Sequence, residues 1–165
     1  MSPPKYMGIT EFMEGMAGNL ADAPLRPHYR SVATLRRDIA QQVQAYVQVQ
    51  LAPLGVPFKV WQQGASPGGL EPVLAFGRDF WPDVAVEVSE IPTIAVAVKL
   101  IAPRDDGRGA LSFLLGETII YTRVYPAVLA FALDRGSPDE SKHWWDPDLR
   151  AELWERYHIR LIIRR

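Results

Sequence analysis

An aspartate and a lysine sit at opposite ends of what reads as a β-hairpin. The stretch FWPDVAVEV, 80–88, carries Asp83 early; IAVAVKLI, 94–101, carries Lys99 late. Both runs have β-branched residues at alternate positions, the pattern of strands. With the turn at 89–93, the simplest register pairs Val88 with Ile94, which sets Asp83 opposite Lys99, Ala85 opposite Ala97 and Glu87 opposite Ala95. Strand side chains alternate between faces. One face is then Val84, Val86 and Val88 against Ile94, Val96, Val98 and Leu100, which is core. The other is small in its middle and charged at its end, an open, shallow site beside a carboxylate and an ammonium. Phosphodiester hydrolysis needs a divalent cation on oxygen ligands, an activated water and positive charge at the scissile phosphate. Asp83 is a candidate metal ligand, and Lys99 a candidate for orienting the water or stabilising phosphate charge. A second acid two residues before the lysine would converge on the same ion, but that position holds Ala97. Glu87 is a poor substitute: four residues along one strand is roughly 13 Å at the rise of an extended chain.

The elements that would position this hairpin are legible around it. ITEFMEGMAGNLA, 9–21, is a short helical candidate, followed by the Pro-punctuated connector ADAPLRPHYR. Ser31 is an N-cap candidate for a long helix with Val32, Leu35, Ile39, Val43, Tyr46, Val47 and Leu51 at helical spacing, ended by Pro53 and Gly55. PFKVWQQ, 57–63, is a strand, and GASPGGLEP a turn-rich segment. APRDDGRG, 102–109, reads as a loop, and 109–125 as a helix stopped by Pro126. AVLAFALD, 127–134, is a buried strand. Asp146 caps a helix with Pro147 at its first position, and HIRLIIRR, 158–165, is the final strand. The order helix, three strands, helix, strand, helix, strand predicts an α/β fold with a mixed sheet flanked by helices on both faces. Residues 1–30 read as an N-terminal helical arm and 31–165 as the main domain.

Composition bounds the function classes. At 165 residues one domain with a real core is expected. The absence of cysteine excludes disulfides, thiolate metal sites and a thiol nucleophile, and fits a cytoplasmic protein. No apolar run reaches the ~20 residues that span a bilayer, so no membrane partner is expected. A net charge of −1 argues against a uniformly basic nucleic-acid binder but leaves room for a local basic cleft.

Pro82-Asp83, the hairpin, and Ala97-Val98-Lys99, followed by a helix and a strand, resemble the PD-(D/E)XK nuclease superfamily, whose signature is Pro-Asp, a variable hairpin, then acid-x-Lys. Glu117-Thr-Ile-Ile-Tyr121 resembles the Gln-x-x-x-Tyr motif of its RecB-like branch, with Glu for Gln, and YPAVLAFALDRG resembles the strand that follows. The likeness covers roughly 31–134. It implies a restriction-endonuclease-like αβββαβ core and a Mg²⁺- or Mn²⁺-dependent DNA endo- or exonuclease, with RNA not excluded. Asp83, the Val98 carbonyl and an acid at position 97 would hold the metal, and Lys99 would position the water. Ala97 departs from the pattern in one of three ways. It stands where the natural chain has Glu, an inactivated form; or the acid has moved, with Glu117 the best candidate; or the chain is a degenerate nuclease fold that binds nucleic acid or protein without cutting. The first is preferred, because restoring Glu gives AVEVKL, a complete motif, and activity with Ala97 is expected to be weak or lost.

The remaining candidates each have a plainer reading. Lys99 has one as an edge-strand gatekeeper or an ion-pair partner of Asp83. Tyr121, one helical turn after Glu117, is either core or a substrate contact. Arg104 and Arg108 are phosphate-gripping candidates or solvated loop residues. Asp38 is a possible further carboxylate, more simply a solvated helix residue. Trp144, Trp145 and Trp154 could stack on bases but are more simply packing residues. Gly68-Gly69 and Gly107-x-Gly109 lack the setting of a phosphate loop. His28, His143 and His158 have no ligand spacing. The methionines at 7, 13 and 16, with the tryptophans, point to apolar surface needing cover, in a homodimer or a larger assembly.

Overall fold

The computed structural model describes residues 8–64, 70–136 and 146–165. Helix α1, Ile9–Asp22, and helix α2, Val32–Leu51, come first. Ser31 caps α2 as expected, its hydroxyl accepting from the Thr34 N–H at 3.3 Å. A 3-10 turn, Ala52–Leu54, ends on Gly55 at φ 66°, the left-handed position that favours glycine. Strands β1, Phe58–Gln62, β2, Val73–Ala75, β3, Arg78–Phe80, β4, Val84–Val88, and β5, Ile91–Ile101, follow. Then come α3, Gly107–Tyr121, β6, Ala127–Asp134, α4, Pro147–Tyr157, and β7, Ile159–Arg164. Asp146 caps α4, accepting from the Leu149 N–H at 2.9 Å with Pro147 behind it.

Five strands form one mixed sheet in the order β1-β4-β5-β6-β7. Strand β4 runs antiparallel to both its neighbours, β1 and β5, and β6 and β7 run parallel to β5. The valine face packs on α1 and α2, burying Met13, Met16, Leu35, Ile39 and Val43 with Val84, Val96 and Phe131. The other face packs mainly on α3, with Leu114, Tyr121 and Tyr125 over the sheet. The mixed sheet with helices on both sides is therefore as read from the sequence. The N-terminal helix packs into the main core: Met13 and Met16 are fully buried, so the apolar surface these two bring is covered within the chain. Tyr46 of α2 approaches α1 closely at Gly15 and donates to the Phe12 carbonyl at 3.1 Å. Met7, Gly68, Gly69, His143, Trp144 and Trp145 lie outside the described residues. No helix among the described residues is long and apolar enough to cross a membrane.

Three local expectations are corrected. The central hairpin turns on two residues, Ser89 (φ 52°) and Glu90 (φ 65°), rather than 89–93. Paired left-handed residues give the tight twist that suits a two-residue hairpin loop. A bulge at Val86/Glu87 then absorbs one residue of β5, so Ala85 pairs with Ala95 and Val84 with Val96. The register differs from expectation by two residues, which preserves which side chains share a face. The strand expected from residue 80 begins at Val84. Phe80 instead closes a small β2–β3 hairpin over residues to which the sequence assigned no element, tightened at Phe76 (φ 52°) and Gly77 (φ 70°). Helix α3 runs from 107 to 121 rather than 109 to 125, its end fixed by Tyr125 N–H bonding the Tyr121 carbonyl at 2.9 Å.

Candidate functional site

The shifted register brings Asp83 and position 97 together. Val84 pairs with Val96, so one further step along the ladder sets Asp83 beside Ala97 rather than Lys99. Pro82 supplies no N–H, and the chain enters β4 from a bend. Asp83 is only 6% exposed and is fixed at several atoms. Its carbonyl accepts from Gln63 N–H at 3.0 Å. Its Oδ2 accepts from Val98 N–H at 2.6 Å. A strand residue directs its N–H and C=O to the same edge, so the Val98 carbonyl also faces the Asp83 side.

The ion pair of Asp83 is made by a residue that sequence reading did not assign. Arg36 of α2 places Nε 2.5 Å from Asp83 Oδ1, a close charge contact whose N–H is not well directed at the oxygen. Arg36 lies one, two and three turns before Ala40, Val43 and Val47, all buried. A charge on the core-facing stripe of a helix is the signal that should have marked it, since such a group is tolerated there only when paired.

Lys99 is not on an edge: β5 lies between β4 and β6, with Lys99 beside Ala132. Its Nζ stands 5.2 Å above the Phe113 ring of α3. Glu117, on the same helix, is partly buried and shares an electrostatic neighbourhood with Asp83, Lys99 and Arg36. Burial, then the Asp83 charge, raises the Glu117 carboxyl above its ordinary range, against the pull of Lys99 and Arg36. Burial also raises Asp83, opposed by the Val98 N–H, Arg36 and Lys99. One turn after Glu117, Tyr121 is buried and donates its hydroxyl to the Trp81 carbonyl at 2.8 Å. Burial first, then Glu117 and Asp83, pushes its phenol far up. Tyr121 therefore tethers the approach to Asp83 and is not placed to touch a substrate.

The alanine face is not the open, shallow site expected. Ala85, Ala95 and Ala97 are fully buried, with Ala130 and Ala132 of β6 in the same cluster under α3. Small side chains let the helix lie close to the sheet, and this gives Ala97 a packing role of its own. Arg104 and Arg108 are exposed on the loop and first turn of α3. The cations felt by Asp83 and Glu117 are Arg36 and Lys99, so the two loop arginines are not gathered onto the carboxylates. Asp38 is held by Arg26 at 2.7 Å and Tyr29 at 2.9 Å, away from the hairpin. Glu87 sits near Tyr125, whose phenol burial, with that carboxylate, pushes up to about 12. Trp154 packs on the core and under Arg160.

Asp83, Glu117 and the Val98 carbonyl are hard oxygen donors, the ligand type that Mg²⁺ or Mn²⁺ takes, and the two carboxylates share an electrostatic neighbourhood. Among the described residues no three acidic, His or Cys side chains group to hold an ion. Comparison with protein-family models, with curated proteins and with solved structures gave no match to this chain.

Proposed function

We propose that this chain is a divalent-metal-dependent nuclease of the restriction-endonuclease-like type, in which Glu117 supplies the second carboxylate that position 97 lacks. The observation that carries the reading is the buried Asp83 carboxylate held between the Val98 N–H and Arg36, with Glu117 and Lys99 in its electrostatic neighbourhood. Two carboxylates and two cations cancel, so the cluster is neutral by itself. A bound Mg²⁺ or Mn²⁺ would supply Lewis acidity and a net positive charge suited to a phosphodiester. Asp83, Glu117 and the Val98 carbonyl are the groups to hold it. Lys99 orients the attacking water and a phosphate oxygen. Arg36, released from Asp83, is the second cation within reach of the phosphate. Water adds at phosphorus and one P–O ester bond breaks, leaving a phosphomonoester and an alcohol.

The Asp83–Arg36 contact favours a second reading. A carboxylate already neutralised by a guanidinium is what a fold that binds without cutting would keep. Cleavage of labelled DNA with Mg²⁺ or Mn²⁺ separates the cases. Activity in the unaltered chain that is abolished by Glu117→Gln and by Lys99→Ala supports the proposal. Activity only in Ala97→Glu restores the acid to the hairpin and removes Glu117 from the metal. No cleavage by either folded protein leaves the binding module.

A further inference from the structure

A groove of about 790 Å³ runs between the β2–β3 hairpin and α3 and reaches the charged cluster. Its walls include Phe76, Phe80, Phe113, Ile119 and Ile120, with Glu117 among them. Phe76 is 92% exposed and Phe113 59% exposed. Large apolar side chains left in water together mark a binding surface rather than a packing accident. The Arg123 guanidinium donates to the Leu74 carbonyl at 2.7 Å and ties the hairpin to the helix, so the two walls are joined.

Two features say what the groove is shaped to take. The Lys99 ammonium stands 5.2 Å over the ring of Phe113, so a cation adjoins the aromatic wall without lining the groove itself. Glu117 belongs both to the groove and to the carboxylate cluster. An occupant with flat apolar faces alternating with negative charge matches this sequence of surfaces. We infer that the groove receives unpaired bases of a single-stranded nucleic acid, stacked on Phe76 and Phe113, and feeds the adjoining phosphate to Lys99. The inference rests on the nuclease reading and adds strandedness to it. Bases in a duplex have their faces already stacked and cannot offer them to Phe76, whereas a single strand can, and aromatic stacking does not depend on sequence.

The test is fluorescence anisotropy of the full chain with labelled oligothymidylate and with a duplex of equal length, in EDTA, so that binding is read apart from cleavage. Single strand should bind at least about tenfold tighter than duplex. Phe76→Ala and Phe113→Ala should each weaken single-strand binding at least about fivefold while leaving duplex binding unchanged. Phe76 is nearly all in water, so its variant folds as the parent does. Equal affinity for the two DNAs, or single-strand binding indifferent to both substitutions, overturns the inference even if the protein cleaves. Concentration-dependent self-association lost in Phe76→Ala, with no DNA bound, overturns it in favour of a contact between copies. Phenylalanine-dependent single-strand binding without cleavage sustains the groove and sinks the nuclease reading instead.

Discussion

The Val98 backbone N–H donates to Asp83 Oδ2 at 2.6 Å while Arg36 closes on Oδ1 at 2.5 Å. One strand and one helix thus hold a single buried carboxylate from opposite sides. Removing the helix cation strands that charge. Arg36→Leu should cost about 1–3 kcal/mol, below the ~3–5 kcal/mol of a fully buried pair, because the arginine keeps part of its surface in water. Urea unfolding of Arg36→Leu and of Arg36→Leu with Asp83→Asn measures this. The double variant should recover part of the loss, and additive losses would show that the two residues are not coupled.

Glu117 sets a pH dependence whose sign follows from its raised proton affinity. The folded chain keeps the proton above the ordinary glutamate value of 4.5, where the unfolded chain has released it. Stability from this group is therefore full below that value and is lost as pH rises through the folded pKa. Glu117→Gln should melt above the parent at pH 7, with the gap closing as pH falls below the ordinary glutamate range. A variant that melts lower at pH 7 would show that the carboxylate is stabilised by Lys99 and Arg36 rather than penalised by burial and Asp83.

Ala97 is 0% exposed under α3, so Ala97→Glu adds both bulk and charge. Without metal it should lose about 1–3 kcal/mol from overpacking alone. Saturating Mn²⁺, at roughly one hundred times the dissociation constant, would return about 2.7 kcal/mol. Thermal melts of the variant with EDTA and with Mn²⁺ should differ by several degrees, and by more than the parent's. Equal responses in the two proteins would mean that position 97 does not face a metal site.

Tyr121→Phe deletes the hydroxyl that reaches the Trp81 carbonyl. The cost should be about 0.5–1.5 kcal/mol, the net worth of one neutral hydrogen bond. Single-strand affinity should not change, because the ring is buried and the phenol does not line the groove. A selective fall in binding with full stability would move Tyr121 to the substrate surface.

Much of the frame was readable because it depends on local rules. Ser31 and Asp146 cap the helices expected of them, and 127–134 is the strand its apolar run indicated. Alternation along 84–88 and 94–101 assigned the valine face to the core correctly, even though the register moved by two. The register escaped because two unremarkable residues, Ser89 and Glu90, adopt the left-handed turn, and a bulge compensates. The β2–β3 hairpin escaped because three-residue strands around Phe76-Gly77 are too short to show a period.

What the sequence determined by itself is the main helices and the strands of the five-stranded sheet, the two faces of the hairpin and the candidacy of Asp83, Lys99 and Glu117, since periodicity, capping and residue type are properties of neighbours along the chain. Only the tertiary structure decided that Arg36 is the counter-charge of Asp83, that Ala97 lies beneath a helix rather than in the open, and that Phe76 and Phe113 face one groove. Those relations join segments tens of residues apart, and only the packing of α2, α3 and the small hairpin around the sheet brings them within contact.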